Sequence, residues 1–119
     1  MTLTASPTLS APALTTRDTP VEPRDVKPTA RTLRAIGHPG RMLVLLHLAQ
    51  QGESCAGDLM AVTGLSQSAT SQHLARLRRD GLVNTRRDGQ TIHYRLASRE
   101  IVPVIRAALL YTRLRREGV

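Results

Sequence analysis

From Leu65 to Leu96 the chain reads LSQSATSQHLARLRRDGLVNTRRDGQTIHYRL, and two hydrophobic periods follow one another within it. At 100° per residue, Thr70, Leu74 and Leu77 share one side of a helix running from Gln67 to about Asp80, with His73 at the edge of that side. Ser66 stands before this helix as a cap, and Gly81 stands after it as the residue that ends it. Beyond Gly81 the period becomes two. Val83, Ile92, Tyr94 and Leu96 then face a core, while Asn84, Arg86, Thr91 and His93 face outward. With Asp88-Gly89 as a two-residue type I′ turn, Val83 pairs opposite Tyr94 and Thr85 opposite Ile92, leaving Arg87 and Gln90 at the tip.

Upstream, Thr29 caps a short expected helix through Ile36; Gly37 ends it and Pro39 starts the next. That second helix, Pro39 to about Gln50, carries Met42, Leu43, Val44, Leu45, Leu46 and Leu48, apolar over most of its circumference. Such a helix is buried on several sides, so it belongs at the centre of the domain. Gly52-Glu53-Ser54 breaks it, and a short helix over Ala56 to Val62 offers Leu59 and Val62 with Met60 beside them. Thr63-Gly64-Leu65 is then a tight turn into the capped helix, which makes the pair a helix-turn-helix. A last helix runs from Ser98 to about Arg116, with Ile101, Val104, Ile105, Ala108, Leu109 and Tyr111 available for burial. Pro103 either kinks it or delays its start.

Residues 1–28 hold five of the seven prolines and no sustained period, and are expected to be a disordered leader ahead of a domain over 29–116. The expected fold is mainly α with a small β-hairpin: four helices, two strands and a fifth helix in a winged helix-turn-helix. The two aromatic residues, Tyr94 and Tyr111, leave little large side-chain area for a core, a shortage that a dimer relieves.

The formal charge of +8 refines this picture. In residues 1–28, Arg17, Arg24 and Lys27 balance Asp18, Glu22 and Asp25, so the whole excess lies in the folded part and points to a polyanion. One cysteine, Cys55, excludes an intrachain disulfide and fits a reducing, cytoplasmic setting in a bacterium. No apolar run approaches the roughly 18 residues of a membrane span, and the N-terminal stretch lacks the pattern of a signal peptide. The six acids beyond residue 28 form no paired-carboxylate or Ser-His-Asp constellation, and no Gly-rich phosphate loop occurs, so no enzyme is expected.

The candidate site is therefore a DNA-reading surface. Ser68, Ser71, Gln72, Ala75, Arg76 and Arg79 lie on or near the outer side of the capped helix, with Gln67 in its first turn. Small and polar side chains at a helix start let its backbone enter a major groove, where Gln and Ser bond base edges. Arg76, Arg78 and Arg79 follow a turn or two later, where phosphates lie. The first two turns carry no acid to repel phosphate. Arg86 and Arg87, with Gln90 and Thr91 beside the glycine tip, suit the nucleic-acid backbone or a narrow minor groove.

HPGRMLVLLHL, SQSATSQHLARLRRDGLV and the wing RRDGQTIHYRL together resemble the ArsR/SmtB family of winged-helix regulators, over roughly Thr29 to Leu114, and most closely its HlyU-like branch. The resemblance implies a homodimer built on the first and last helices, bound to double-stranded DNA at an inverted-repeat operator. It implies a transcriptional regulator, a repressor first, with an HlyU-like activator or anti-silencer as the alternative. A winged-helix protein that binds nucleic acid without sequence preference is a further alternative.

The family's sensing sites carry over incompletely. GESCAGDL keeps a thiolate and a carboxylate, Cys55 and Asp58, of one metal site, yet residues 1–37 hold no Cys or His to complete it. The last-helix metal pattern falls on Ser98, Glu100, Tyr111 and Leu114, and the dithiol pattern on Leu46 and Thr112 or Arg113. No metal or other cofactor is expected, and Cys55 is left as a lone redox candidate or an inert buried thiol. His38, His47, His73 and His93 are scattered and are read as no ligand set.

Overall fold

The computed structural model describes residues 20–118. The chain divides into two units, 1–30 and 31–119, and the boundary falls within the first helix. The elements are α1 (Pro23–Ile36), α2 (Pro39–Gln51), β1 (Ser54–Cys55), α3 (Ala56–Thr63), α4 (Gln67–Arg79), β2 (Val83–Asp88), β3 (Thr91–Leu96) and α5 (Ile101–Arg116). This is the expected winged helix-turn-helix, with one strand added.

The first helix corrects the sequence reading. It begins at Pro23 rather than Thr29, so residues 23–28 are helical and not part of an irregular leader. Pro23 at the first helical position has its φ already set for a helix, and Asp25 in the first turn favours the positive end of the helix dipole. Pro28, the last residue of the expected leader, sits inside the helix. Residues 1–19 of that leader lie outside the described residues.

The core is built around α2, where Val44, Leu45 and Leu48 are buried with Leu59 of α3, Leu74 and Leu77 of α4, Val83 of β2 and Ile105 of α5. Burial on several sides is thus only partly realised, because Leu43 remains 44% exposed. It borders a groove of about 320 Å³ toward Val62, Ile105 and Leu109. In α5 the buried residues are Ile101, Val102 and Ile105, while Val104, Leu109 and Tyr111, which the sequence made available for burial, are exposed. The helix packs on α2 through its first turns, and among the described residues its later turns are left exposed. Pro103 is its third residue; a first-turn N–H has no acceptor within the helix, so the helix begins late and needs no kink.

The hairpin also differs in one respect. Val83 pairs with Leu96, Thr85 with Tyr94 and Asp88 with Thr91, so the turn is Gly89-Gln90 rather than Asp88-Gly89. Gly89 has φ 64°, and the described residues with positive φ are all glycines, so Gln90 is not left-handed. A type I′ turn needs two left-handed residues, whereas glycine first and an ordinary residue second is the type II′ pattern. Cross-strand partners move by two positions, which preserves the alternation, and Val83 is still the buried end of the wing. β1, which was not expected, pairs Ser54 with Tyr94 and Cys55 with His93, giving the order β1-β3-β2. No helix among the described residues is long and apolar enough to cross a membrane.

Candidate nucleic-acid interface

The helix-turn-helix consists of α3 and α4, and its turn is held by Thr63. The Thr63 Oγ1 donates to Leu59 O at 3.0 Å and accepts from Leu65 N–H at 3.2 Å. Ser66 Oγ then accepts from Ala69 N–H at 3.1 Å, capping α4 at the position read from the sequence. At the other end Leu82 N–H donates to Leu77 O and Gly81 N–H to Arg78 O, the paired bonds of a Schellman cap. Gly81, at φ 77°, supplies the left-handed residue this cap requires. Both ends of α4 are therefore fixed by local hydrogen bonds, and its rotation is fixed by burial of Thr70, Leu74 and Leu77.

That rotation leaves Gln67, Ser68, Ser71, Gln72 and Arg79 exposed on α4. Arg76 is half-buried and bridged to Asp80 at 3.4 Å, so its charge is already partly answered. Arg78, which the sequence placed near phosphates, is exposed and joins Ser71, Ala75, Arg79 and Tyr94 around an open groove of about 410 Å³. This groove brings the outer side of α4 against β3 of the wing.

On the wing, Arg86, Arg87, Gln90 and Thr91 are all exposed, but the two arginines differ. Arg86 forms a two-pronged ion pair with Glu53, Nε to Oε2 at 3.1 Å and Nη2 to Oε1 at 2.8 Å. The hydrogen bond from Arg86 holds the Glu53 carboxyl below the usual carboxylate range, and the same bond raises Arg86. Glu53 was not singled out in the sequence; an acid between Gly52 and Ser54 gave no sign of a partner 33 positions away. Arg87 makes only a 3.4 Å hydrogen bond with Gly89 O, and Asp88 brings a carboxylate to the same tip. Arg87→Ala is expected to weaken binding to any duplex and to lower the salt slope of affinity by about 1. Arg86→Ala, whose charge is already paired, is expected to change the slope less; a salt titration in which the two exchange ranks contradicts this division.

The sensing candidates do not converge. Cys55 is the half-buried residue before α3 and makes no side-chain cap bond, while Asp58 is exposed in the first turn of that helix. Among the described residues no three His, Cys, Asp or Glu side chains gather where they would hold a metal ion. His47 bonds Ser54 Oγ at 3.1 Å, and His38 accepts from Gly40 N–H as the cap of α2.

Residues 38–85 match the family model described as "Bacterial regulatory protein, arsR family". The chain is 45% identical over 76 residues to the HTH-type transcriptional regulator YgaV of Escherichia coli K12, covering 64% of this chain and 77% of that one. The chain belongs to the ArsR family. This ArsR-family protein is also 48% identical over 73 residues to the transcriptional activator HlyU of Vibrio cholerae, 61% of this chain and 67% of the relative. Its fold matches the solution structure of a homodimeric winged helix-turn-helix DNA-binding domain from Mycobacterium bovis, a possible ArsR-family regulator. There the TM-score is 0.69 at 25% identity, over 83% of this chain and 94% of that one. The ArsR-family chain is accordingly a transcription regulator with a helix-turn-helix DNA-binding domain, and not an enzyme.

Proposed function

We propose that the chain binds double-stranded DNA as a homodimer on an inverted-repeat operator in the bacterial cytoplasm and represses transcription by occupying the promoter. The observation that carries this reading is the outer side of α4, where Gln67, Ser68, Ser71 and Gln72 are exposed ahead of Arg78 and Arg79 with no acid in the first turn. Two such helices about 34–36 Å apart read half-sites one helical turn apart. The dimer is supported by the M. bovis homodimer and by apolar side chains left uncovered on the two terminal helices: Leu33 on α1, and Leu110, Tyr111 and Leu114 on α5. The likeness to HlyU, named an activator, favours one other reading, in which the same dimer raises expression by displacing a silencer.

Fluorescence anisotropy on the chain's own promoter fragment against a scrambled duplex tests the proposal. The promoter is expected to bind far more tightly, Gln72→Ala to reduce that preference by about 1–3 kcal/mol where Gln72 pairs two-pronged with a base edge, and Ser68→Ala to reduce it by less. Equal affinity for both duplexes overturns sequence-specific reading and leaves a general nucleic-acid binder. Transcription in vitro from the bound promoter, with and without a silencing protein, separates repression from anti-silencing.

A further inference from the structure

A polar cluster lies where the end of α1, the start of α2 and α4 meet. Arg41 is only 8% exposed, on a helix otherwise rich in leucine. Its Nε donates to Ala35 O at 2.5 Å, its Nη2 to Arg34 O at 3.1 Å and its Nη1 to His73 Nδ1 at 3.0 Å. Two of these acceptors are carbonyls in the last turn of α1, where a cation meets the negative end of a helix dipole. The third belongs to α4, next in sequence to Gln72.

A guanidinium has donors only. His73 Nδ1 must therefore present its lone pair, with the ring proton on Nε2. The same reasoning holds for His38, whose Nδ1 accepts from Gly40 N–H at 2.9 Å. The two imidazoles meet with centroids 4.1 Å apart. A proton on His73 Nδ1 turns an acceptor into a donor facing a donor, and sets a new cation against Arg41.

We propose that Arg41 is a positioning residue for DNA recognition, tying the end of α1 to α4 through neutral His73, and that protonation of His73 breaks this tie and frees α4 to shift. The proposal rests on the reading of α4 as the DNA-reading helix.

The groups around His73 favour its neutral form. Burial first, then His38 and Arg41, hold it below the ordinary imidazole range. Arg41 itself is lowered by burial and by Arg76 of α4, with Asp80 at the end of α4 acting in the opposite sense, and α1 offers the cluster two backbone carbonyls. A lowered folded value means that the tie is complete above the ordinary value of about 6.5 and is lost as pH falls through the lower folded value. The expected direction is the reverse of simple electrostatics, in which added positive charge on a protein strengthens its binding to DNA.

The test is anisotropy of the full chain on its promoter duplex between pH 8 and pH 5. Wild type is expected to lose affinity on acidification, approaching about tenfold per pH unit once His73 titrates. In His73→Gln the amide oxygen accepts from Arg41 without titrating, so the acid loss is expected to vanish while affinity at pH 8 stays near that of wild type. An unchanged acid loss in this variant overturns the proposal. An NMR titration of the His73 ring in the wild-type chain decides independently of any variant: a folded value below the ordinary range with Nε2 protonated supports the tie, and titration at or above that range overturns it. If the promoter is not preferred at pH 8, the DNA-reading assignment fails, while the ring titration still decides whether the tie exists.

Discussion

Leu110→Glu combined with Tyr111→Glu is expected to sediment as a monomer and to bind its promoter duplex roughly 10²–10⁴-fold more weakly than wild type, the loss of a linked second site. Leu110 and Tyr111 are 57% and 66% exposed in the single chain, so the substitutions leave the core of the folded protomer untouched. Buried against a second copy, each glutamate either remains charged without a partner or takes up a proton, and both cost free energy. The helical circular dichroism of the variant should match that of wild type at the same concentration. A variant that remains a dimer places the interface elsewhere than on α5. A monomer that binds as tightly as wild type removes the need for two half-sites.

Leu45→Ala is expected to have the largest effect on stability. Leu45 is fully buried at the centre of α2, among side chains from α3, α4, β2 and α5. Truncating such a leucine costs about 2–5 kcal/mol, because the transfer energy is lost and a cavity remains. In a domain of this size that lowers the melting temperature by roughly 4–8 °C for each kcal/mol. Thermal melts at matched protein concentration check this, since dimerisation makes the midpoint concentration-dependent. A loss below about 1 kcal/mol means that α2 is not the centre of the core, or that the site collapses around the truncation.

The DNA-reading half was legible because each of its signals is local. Ser66 caps the residue three positions on, Gly81 closes the helix over the preceding turn, and the helical period places Thr70, Leu74 and Leu77 together. The facing of the hairpin followed from alternation for Val83, Tyr94 and Leu96 although the turn moved by one residue, whereas His93, expected outward, is half-buried where the unexpected β1 pairs with it. Local rules misjudged α1, where Pro28 looked like a boundary yet lies within a helix. They also marked Leu109 and Tyr111 of α5 as available for burial, but period cannot say whether the chain's own core or another surface covers them.

An arginine on a nearly all-apolar helix was a signal that the sequence reading passed over. A buried guanidinium needs acceptors, so Arg41 had to meet carbonyls or a ring nitrogen somewhere. Which ones it meets is decided by packing, since His73 lies 32 positions away. Arg86 and Glu53 are separated by 33, and nothing in either segment refers to the other. The sequence alone determined the elements with strong caps and periods, the side of α4 that faces outward, and the basic character of the folded part, because these depend on neighbours a few residues apart. Tertiary structure decided which arginines are paired with an acid, that His73 Nδ1 faces the Arg41 guanidinium, and which apolar residues lack cover among the described residues. Those outcomes depend on the hydrogen-bond and packing partners that distant segments supply once α2 has gathered them into one core.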